Sequence, residues 1–202
     1  MRSKIKDLPG RPRVFDHDVV LTKAMNVFWS LGFSRTTYAE LENATGLHRQ
    51  SLIYAFGDKK ALFNQALNHY AATRVQAVIN QLEASGSPLD NIRAVFSMWV
   101  EDARCQAKPG CLFVNTSAEI GQFEPAIAQL IENSTQRLIQ AFAQAFQVGQ
   151  ARGEITTQVD AAALARQAVA VGDGALLRSK TSTNSAFAEA AFQAFIALIS
   201  NK

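Results

Sequence analysis

The chain has few cysteines and no long apolar run. Two cysteines in 202 residues, Cys105 and Cys111, cannot build a disulfide framework. Three histidines, His17, His48 and His69, are scattered without metal-ligand spacing, so no metal and no other cofactor is expected. No segment approaches the roughly 18 uninterrupted apolar residues of a membrane span. The start, MRSKIKDLPGRPR, is basic but leads into no apolar signal core. A cytoplasmic protein without membrane association is the expectation. Phosphate-cradling glycine loops and dinucleotide fingerprints are also missing, and no His–Asp or His–Asn pair is placed to activate a cysteine. The chain is therefore not expected to be an enzyme, and no catalytic residue is assigned.

What is present is a packed interior and an uneven charge. The apolar fraction is 48% and the formal net charge +3. Residues 1–63 hold ten Lys/Arg against six Asp/Glu, and the remainder holds ten against eleven. A basic first third points to an anionic partner there, nucleic acid before membrane.

Periodicity reads as all-α throughout. Asp16 is placed to cap a first helix, with Phe15 as a staple on Val20. Val20, Ala24, Val27, Phe28 and Leu31 form one helical face, stopped by Gly32. Thr37 and Glu40 make a capping box, Leu41 and Ala44 give the short helix a buried side, and Gly46 ends it. Leu47, Leu52 and Phe56 then turn inward and leave Arg49, Gln50 and Tyr54 outward. Two short helices joined by a glycine-bearing turn match the helix-turn-helix pattern. Asp58 caps a long helix from Lys59 through Leu82. Further helical runs are expected near 88–106, 111–121, 124–150, 159–178 and 185–200. This divides the chain into an N-terminal arm and helix-turn-helix domain, 1–58, and a C-terminal helical domain, 59–202.

The second short helix has the dimensions to enter a DNA major groove with its first residues against base edges. Arg49 suits guanine and Gln50 adenine, while Ser51 and Tyr54 suit phosphate or thymine. Thr37 and Lys59, at helix starts, are candidates for flanking phosphates. The basic GRPR arm, Gly10 to Arg13, reads either as a minor-groove arm or as a solubilising tail.

Phe28, Gly32, Thr36, Thr37, Ala44, Gly46, Ser51, Leu52, Phe56, Lys59, Leu62 and Phe63 fall in the order and spacing of a known pattern. Over residues 15–67 the chain resembles the TetR-type transcriptional regulators. Ile53 stands where that family most often has a DNA-facing tyrosine, with Tyr54 one place later. His48 stands where a serine or threonine usually caps the recognition helix. Ile53 then packs inward or meets a thymine methyl, and His48 contacts phosphate.

The resemblance implies a homodimer on double-stranded DNA, reading a roughly palindromic operator. It also implies a repressor released by a small-molecule effector, with the last two helices as the dimer bundle. Ala165, Ala168, Gly172 and Ala175 make a small-residue stripe permitting close helix approach. Phe187, Ala191, Phe192, Phe195, Ile196 and Ile199 make an apolar face on the final helix. Phe96, Met98, Trp99, Phe113, Phe123, Phe142 and Phe146 supply candidate pocket walls, with Phe96, Trp99, Phe113 and Phe142 foremost beside Cys111.

Cys111, in PGCLFVNTSAE, sits near a helix start, where a dipole favours thiolate and Arg104 and Lys108 lie close in sequence. That stretch is similar to the sixth helix in one branch of the family, and some members of the wider family sense oxidants or electrophiles through cysteine. Cys111 is then either a sensor, with Cys105 as its resolving partner, or a core residue. The rival functions are a thiol-based regulator and a helical ligand-binding protein that has lost DNA binding.

Overall fold

The computed structural model describes residues 15–107, 110–120, 124–182 and 184–201. The GRPR arm, Lys108, Pro109 and Phe123 lie outside these residues. Among the described residues the chain is helical, with one isolated bridge, Ile155 to Ser200, in place of any sheet.

Helix α1 (His17–Leu31) begins where Asp16 accepts the amides of Asp18 and Val19. Phe15 sets its ring against His17 and Phe56, so the residue read as a staple joins a three-ring cluster. Helix α2 (Tyr38–Thr45) carries the full capping box of Thr37 and Glu40. It ends at Gly46, whose φ of 76° is left-handed and favours glycine. Helix α3 (Arg49–Phe56) follows α2 after three residues, and Leu41, Leu52 and Phe56 are buried beneath the pair.

Helix α4 (Lys59–Tyr70), capped by Asp58, packs along α1, with Phe63 edge-on to Phe28. The continuous helix read through Leu82 is interrupted. A π turn (Ala71–Val75) intervenes before α5 (Gln76–Leu82). A π turn closes i→i+5 bonds, and the buried Tyr70 and Val75 stand five residues apart. The extra residue thus carries the apolar stripe across the junction.

The remaining helices are α6 (Pro88–Arg104), α7 (Leu112–Ile120), α8 (Pro125–Ala151), α9 (Ala161–Ser179) and α10 (Ala186–Ile199). The bounds expected from sequence hold to within two residues. Phe96, Trp99, Phe142, Phe146, Phe192 and Phe195 form an interior ring stack between α6, α8 and α10.

The small-residue stripe has a different place from the one expected. Ala165, Ala168, Gly172 and Ala175 are all buried within the subunit. A Cβ built on Gly172 would stand 2.4 Å from the Trp99 ring, so this stripe lets α9 settle on α6. Phe192, Phe195 and Ile199 likewise point into the subunit core. The exposed apolar residues on the last two helices are Leu177, Phe187 (54% exposed) and Leu198 (79% exposed). No helix among the described residues is long and apolar enough to cross a membrane.

Candidate DNA-binding face and ligand cavity

Leu52 and Phe56 anchor α3 from beneath, and this fixes what it presents. His48, Arg49, Gln50, Ser51, Ile53 and Tyr54 are all exposed, Tyr54 by 96%. Ile53 therefore points outward, and the inward alternative is excluded.

His48 supplies no cap. That role falls to Glu42 of α2, whose carboxylate accepts the Arg49 amide at 2.6 Å and lies 3.7 Å from the His48 ring. An acidic group at a helix start is stabilising, and here it also ties the two helices of the motif together. Nothing in the local sequence of α3 signals this, because the capping residue lies seven positions upstream. The Arg49 guanidinium rests over the Tyr38 ring, 4.6 Å from its centroid. Stacking of this kind restrains the side chain before any partner arrives.

Thr37 is engaged by Glu40: its amide and hydroxyl donate to that carboxylate at 2.6 and 2.8 Å. Those bonds lower the Glu40 pKa below its ordinary value. Lys59 is also committed. Its ammonium donates to the carbonyls of Phe33 and Thr36 at 3.0 Å each and lies over the Phe33 ring. The lysine read as a phosphate holder thus braces the α1–α2 turn.

The same turn is gripped from the other side by α7. The Glu119 carboxylate accepts the amides of Phe33 and Ser34 at 2.9 and 2.7 Å. Burial works to raise its pKa, but the bonds from Ser34 and Phe33, helped by the charge of Lys180, leave it below the ordinary value. Just before α7, the Gly110 carbonyl accepts the Trp29 indole N–H at 3.0 Å. Both ends of this short helix are therefore fastened to α1 or the turn that follows it.

The face of α7 away from these fastenings walls a cavity of about 350 Å³. Trp99, Cys111 and Phe113 line it, together with Tyr70 and Arg74 from the end of α4 and the π turn. Phe96 and Phe142, expected beside them, belong to the interior ring stack and are not part of this wall. Arg74 is ion-paired with Asp102 and sits over the Trp29 ring.

Cys111 is half-buried at the cavity wall, and its sulfur lies 3.4 Å from the Tyr70 hydroxyl. Desolvation pushes the thiol above its ordinary value, outweighing the hydrogen bonds of Tyr70 and the Val114 and Phe113 amides. This shift runs against the thiolate that the helix-start argument favours. Desolvation, with Cys111 alongside, also pushes the Tyr70 phenol well up. Cys105 and Cys111 are both free thiols. Among the described residues no group of three or more His, Cys, Asp or Glu is arranged to hold a metal.

Residues 20–66 match the family model for bacterial regulatory proteins of the tetR family, and residues 88–195 match that of the tetracyclin repressor-like C-terminal domain. The chain is 32% identical over 159 residues to the helix-turn-helix-type regulator YezE of Bacillus subtilis, covering 78% of this chain and 82% of that one. It is 28% identical over 166 residues to the transcriptional repressor ComR of Escherichia coli, covering 80% and 78%. A cysteine mutant of the regulator CifR, solved with a 26-bp double-strand operator, superposes with a TM-score of 0.81. That structure is 26% identical and covers 94% of this chain and all of its own.

Proposed function

This chain belongs to the TetR family of bacterial regulatory proteins, and from that membership we propose how its DNA-binding and regulatory parts divide the work. The recognition row is Arg49, Gln50, Ser51 and Tyr54, with Ile53 available to a thymine methyl and His48 at the backbone. Thr37 flanks the row at the start of α2. The single observation that carries this reading is the outward row on α3, held over a buried Leu52 and Phe56, with Arg49 restrained by Tyr38 and Glu42. The chain acts as a repressor. Two copies pair through the outer faces of α9 and α10, where Leu177, Phe187 and Leu198 are exposed, and together they read a roughly palindromic operator.

The cavity holds the effector. Its walls come from α4, the π turn and α5 to α9. The π turn at its edge and Glu119 on the turn before α2 are the two routes by which a filled cavity moves the recognition helix. A thiol-based signal through Cys111 is the second reading, and burial works against it by holding the thiol above its ordinary value.

The test is binding of the purified protein to its own upstream DNA at two salt concentrations, beside DNA recovered by selection from random sequence. Tight, salt-sensitive binding to either, weakened by Arg49→Ala, is the expected result. Failure on both would overturn the DNA-binding role.

A further inference from the structure

The cavity has an unbalanced set of charges. Among the described residues its ionisable lining comprises one cation, Arg74, and three carboxylates, Asp102, Glu132 and Asp173, beside Tyr70 and Cys111. Arg74 and Asp102 satisfy each other. Glu132 accepts from Gln136 at 2.7 Å, a neutral donor that leaves its charge in place. Asp173 makes no hydrogen bond or ion pair with any described residue. It is an exposed residue at the rim of the cavity, and the protein around it still pushes its carboxyl up to about 6 by desolvation.

The wall also carries an indole, Trp99 of α6. Gly172 has no side chain, and the Trp99 ring occupies that space against α9. An indole from α6 and a carboxylate from α9 therefore both line the cavity, the indole packed on Gly172 and the carboxylate carried by the next residue, with Phe113 and Tyr70 also in the wall. A positive group over an indole face gains cation–π attraction, which grows as water is excluded. A carboxylate lacking a partner gains from the same charge. An anion entering here meets Asp173 and Glu132 with no free cation among the described lining residues.

We propose that the cavity recognises a small organic cation, an ammonium group carried on an apolar body of about one aromatic ring, with Asp173 and Trp99 receiving the charge. This rests on the reading of the cavity as the effector site. The volume of about 350 Å³ is at the small end of ligand cavities and suits a molecule of that size.

The test is calorimetric titration of the full chain at about pH 8, where a carboxyl of pKa about 6 is ionised, with three probes of similar size. Benzyltrimethylammonium binds about tenfold or more tightly than benzyl alcohol, and phenylacetate binds most weakly. Asp173→Asn removes most of the cation's advantage and leaves benzyl alcohol unchanged, which also shows that the variant is folded. Asp173→Glu retains the preference. Equal affinity for the three probes, no saturable cation binding at millimolar concentration, or a cation preference untouched by Asp173→Asn would each overturn the proposal. DNA binding measured on the same preparation keeps the two readings apart. Intact DNA binding without cation preference removes the ligand class alone, and the reverse pattern removes the regulator reading alone.

Discussion

Glu119 and Ser34 lie 85 residues apart in the chain and are joined by a 2.7 Å hydrogen bond from the Ser34 amide. With the Phe33 amide on its second oxygen, this carboxylate is a clasp between the helix that walls the cavity and the turn that precedes α2. Glu119→Ala leaves two backbone amides without that partner and is expected to cost about 1–3 kcal/mol of stability. Chemical denaturation reads the loss. Glu119→Gln keeps one acceptor and costs less. Because the folded carboxyl titrates below its ordinary value, its contribution is present above the usual carboxyl range and is lost as pH falls through the lower folded value. A wild-type stability profile that falls more steeply in acid than that of Glu119→Gln is the outcome expected.

Arg49 and Lys59 are both cations near the recognition helix, but their surroundings separate them. Arg49 is exposed and stacked on Tyr38. Arg49→Ala is expected to cost about 1–3 kcal/mol on the cognate site and to relax specificity at one base position. Lys59 donates to two carbonyls within its own domain. Lys59→Met is expected to lower thermal stability while leaving the salt slope of DNA binding nearly intact. A slope reduced by about one unit would instead assign Lys59 a phosphate.

Gly172 and Gly174 sit two residues apart on α9 and predict opposite results. Gly172→Ala drives a methyl into Trp99 and is expected to destabilise by about 1–3 kcal/mol. A Cβ at Gly174 meets nothing within 4 Å, so Gly174→Ala gains roughly 0.5–1 kcal/mol of helix propensity in a lone subunit. Thermal denaturation compares them. A loss at Gly174 would mark it as covered by the partner copy.

The pH response of the cavity follows from Asp173. Cation affinity is expected to rise with pH through about 6 and then level off, as its carboxylate forms. Without ligand the sign is reversed. Between the ordinary carboxyl value and about 6 the folded chain holds a proton that the unfolded chain has released, so stability falls as pH rises across that window. The charged groups sharing this wall are Arg74 from the π turn, Asp102 from α6 and Glu132 from α8, with Tyr70 and Cys111 also facing it. Titrating Asp173→Asn beside the wild type isolates its share.

Where a signal is local, the sequence carried it well. Asp16, the Thr37–Glu40 box and Gly46 mark helix ends through residues one to three positions away, and each stands as read. The outward row on α3 followed from the spacing of Leu52 and Phe56. What is not legible in the sequence depends on partners distant along the chain. The buried stripe on α9 was read as a subunit contact because smallness reveals close approach but not to what, and the answer was Trp99 of α6. Lys59 was read from its helix-start position, yet carbonyls more than twenty residues earlier claim its charge. For Cys111 the helix-start dipole is a local signal, whereas the burial that pushes its thiol up comes from elements distant in the chain. The cavity's charge balance needs four elements assembled and has no linear signature.

The π turn at Ala71–Val75 bears on how insertions and deletions are tolerated in this chain. One residue removed from it would restore ordinary winding and swing everything before Tyr70 by about 100° about the helix axis relative to everything after Val75. The stripe that carries Leu67 and Tyr70 would then no longer line up with Val75, Val78 and Ile79. Side-chain changes along the same helix alter strength of contact, whereas a single deletion here alters direction. The junction is thus a phase marker: homologous chains can exchange their two halves only where both carry the same extra residue.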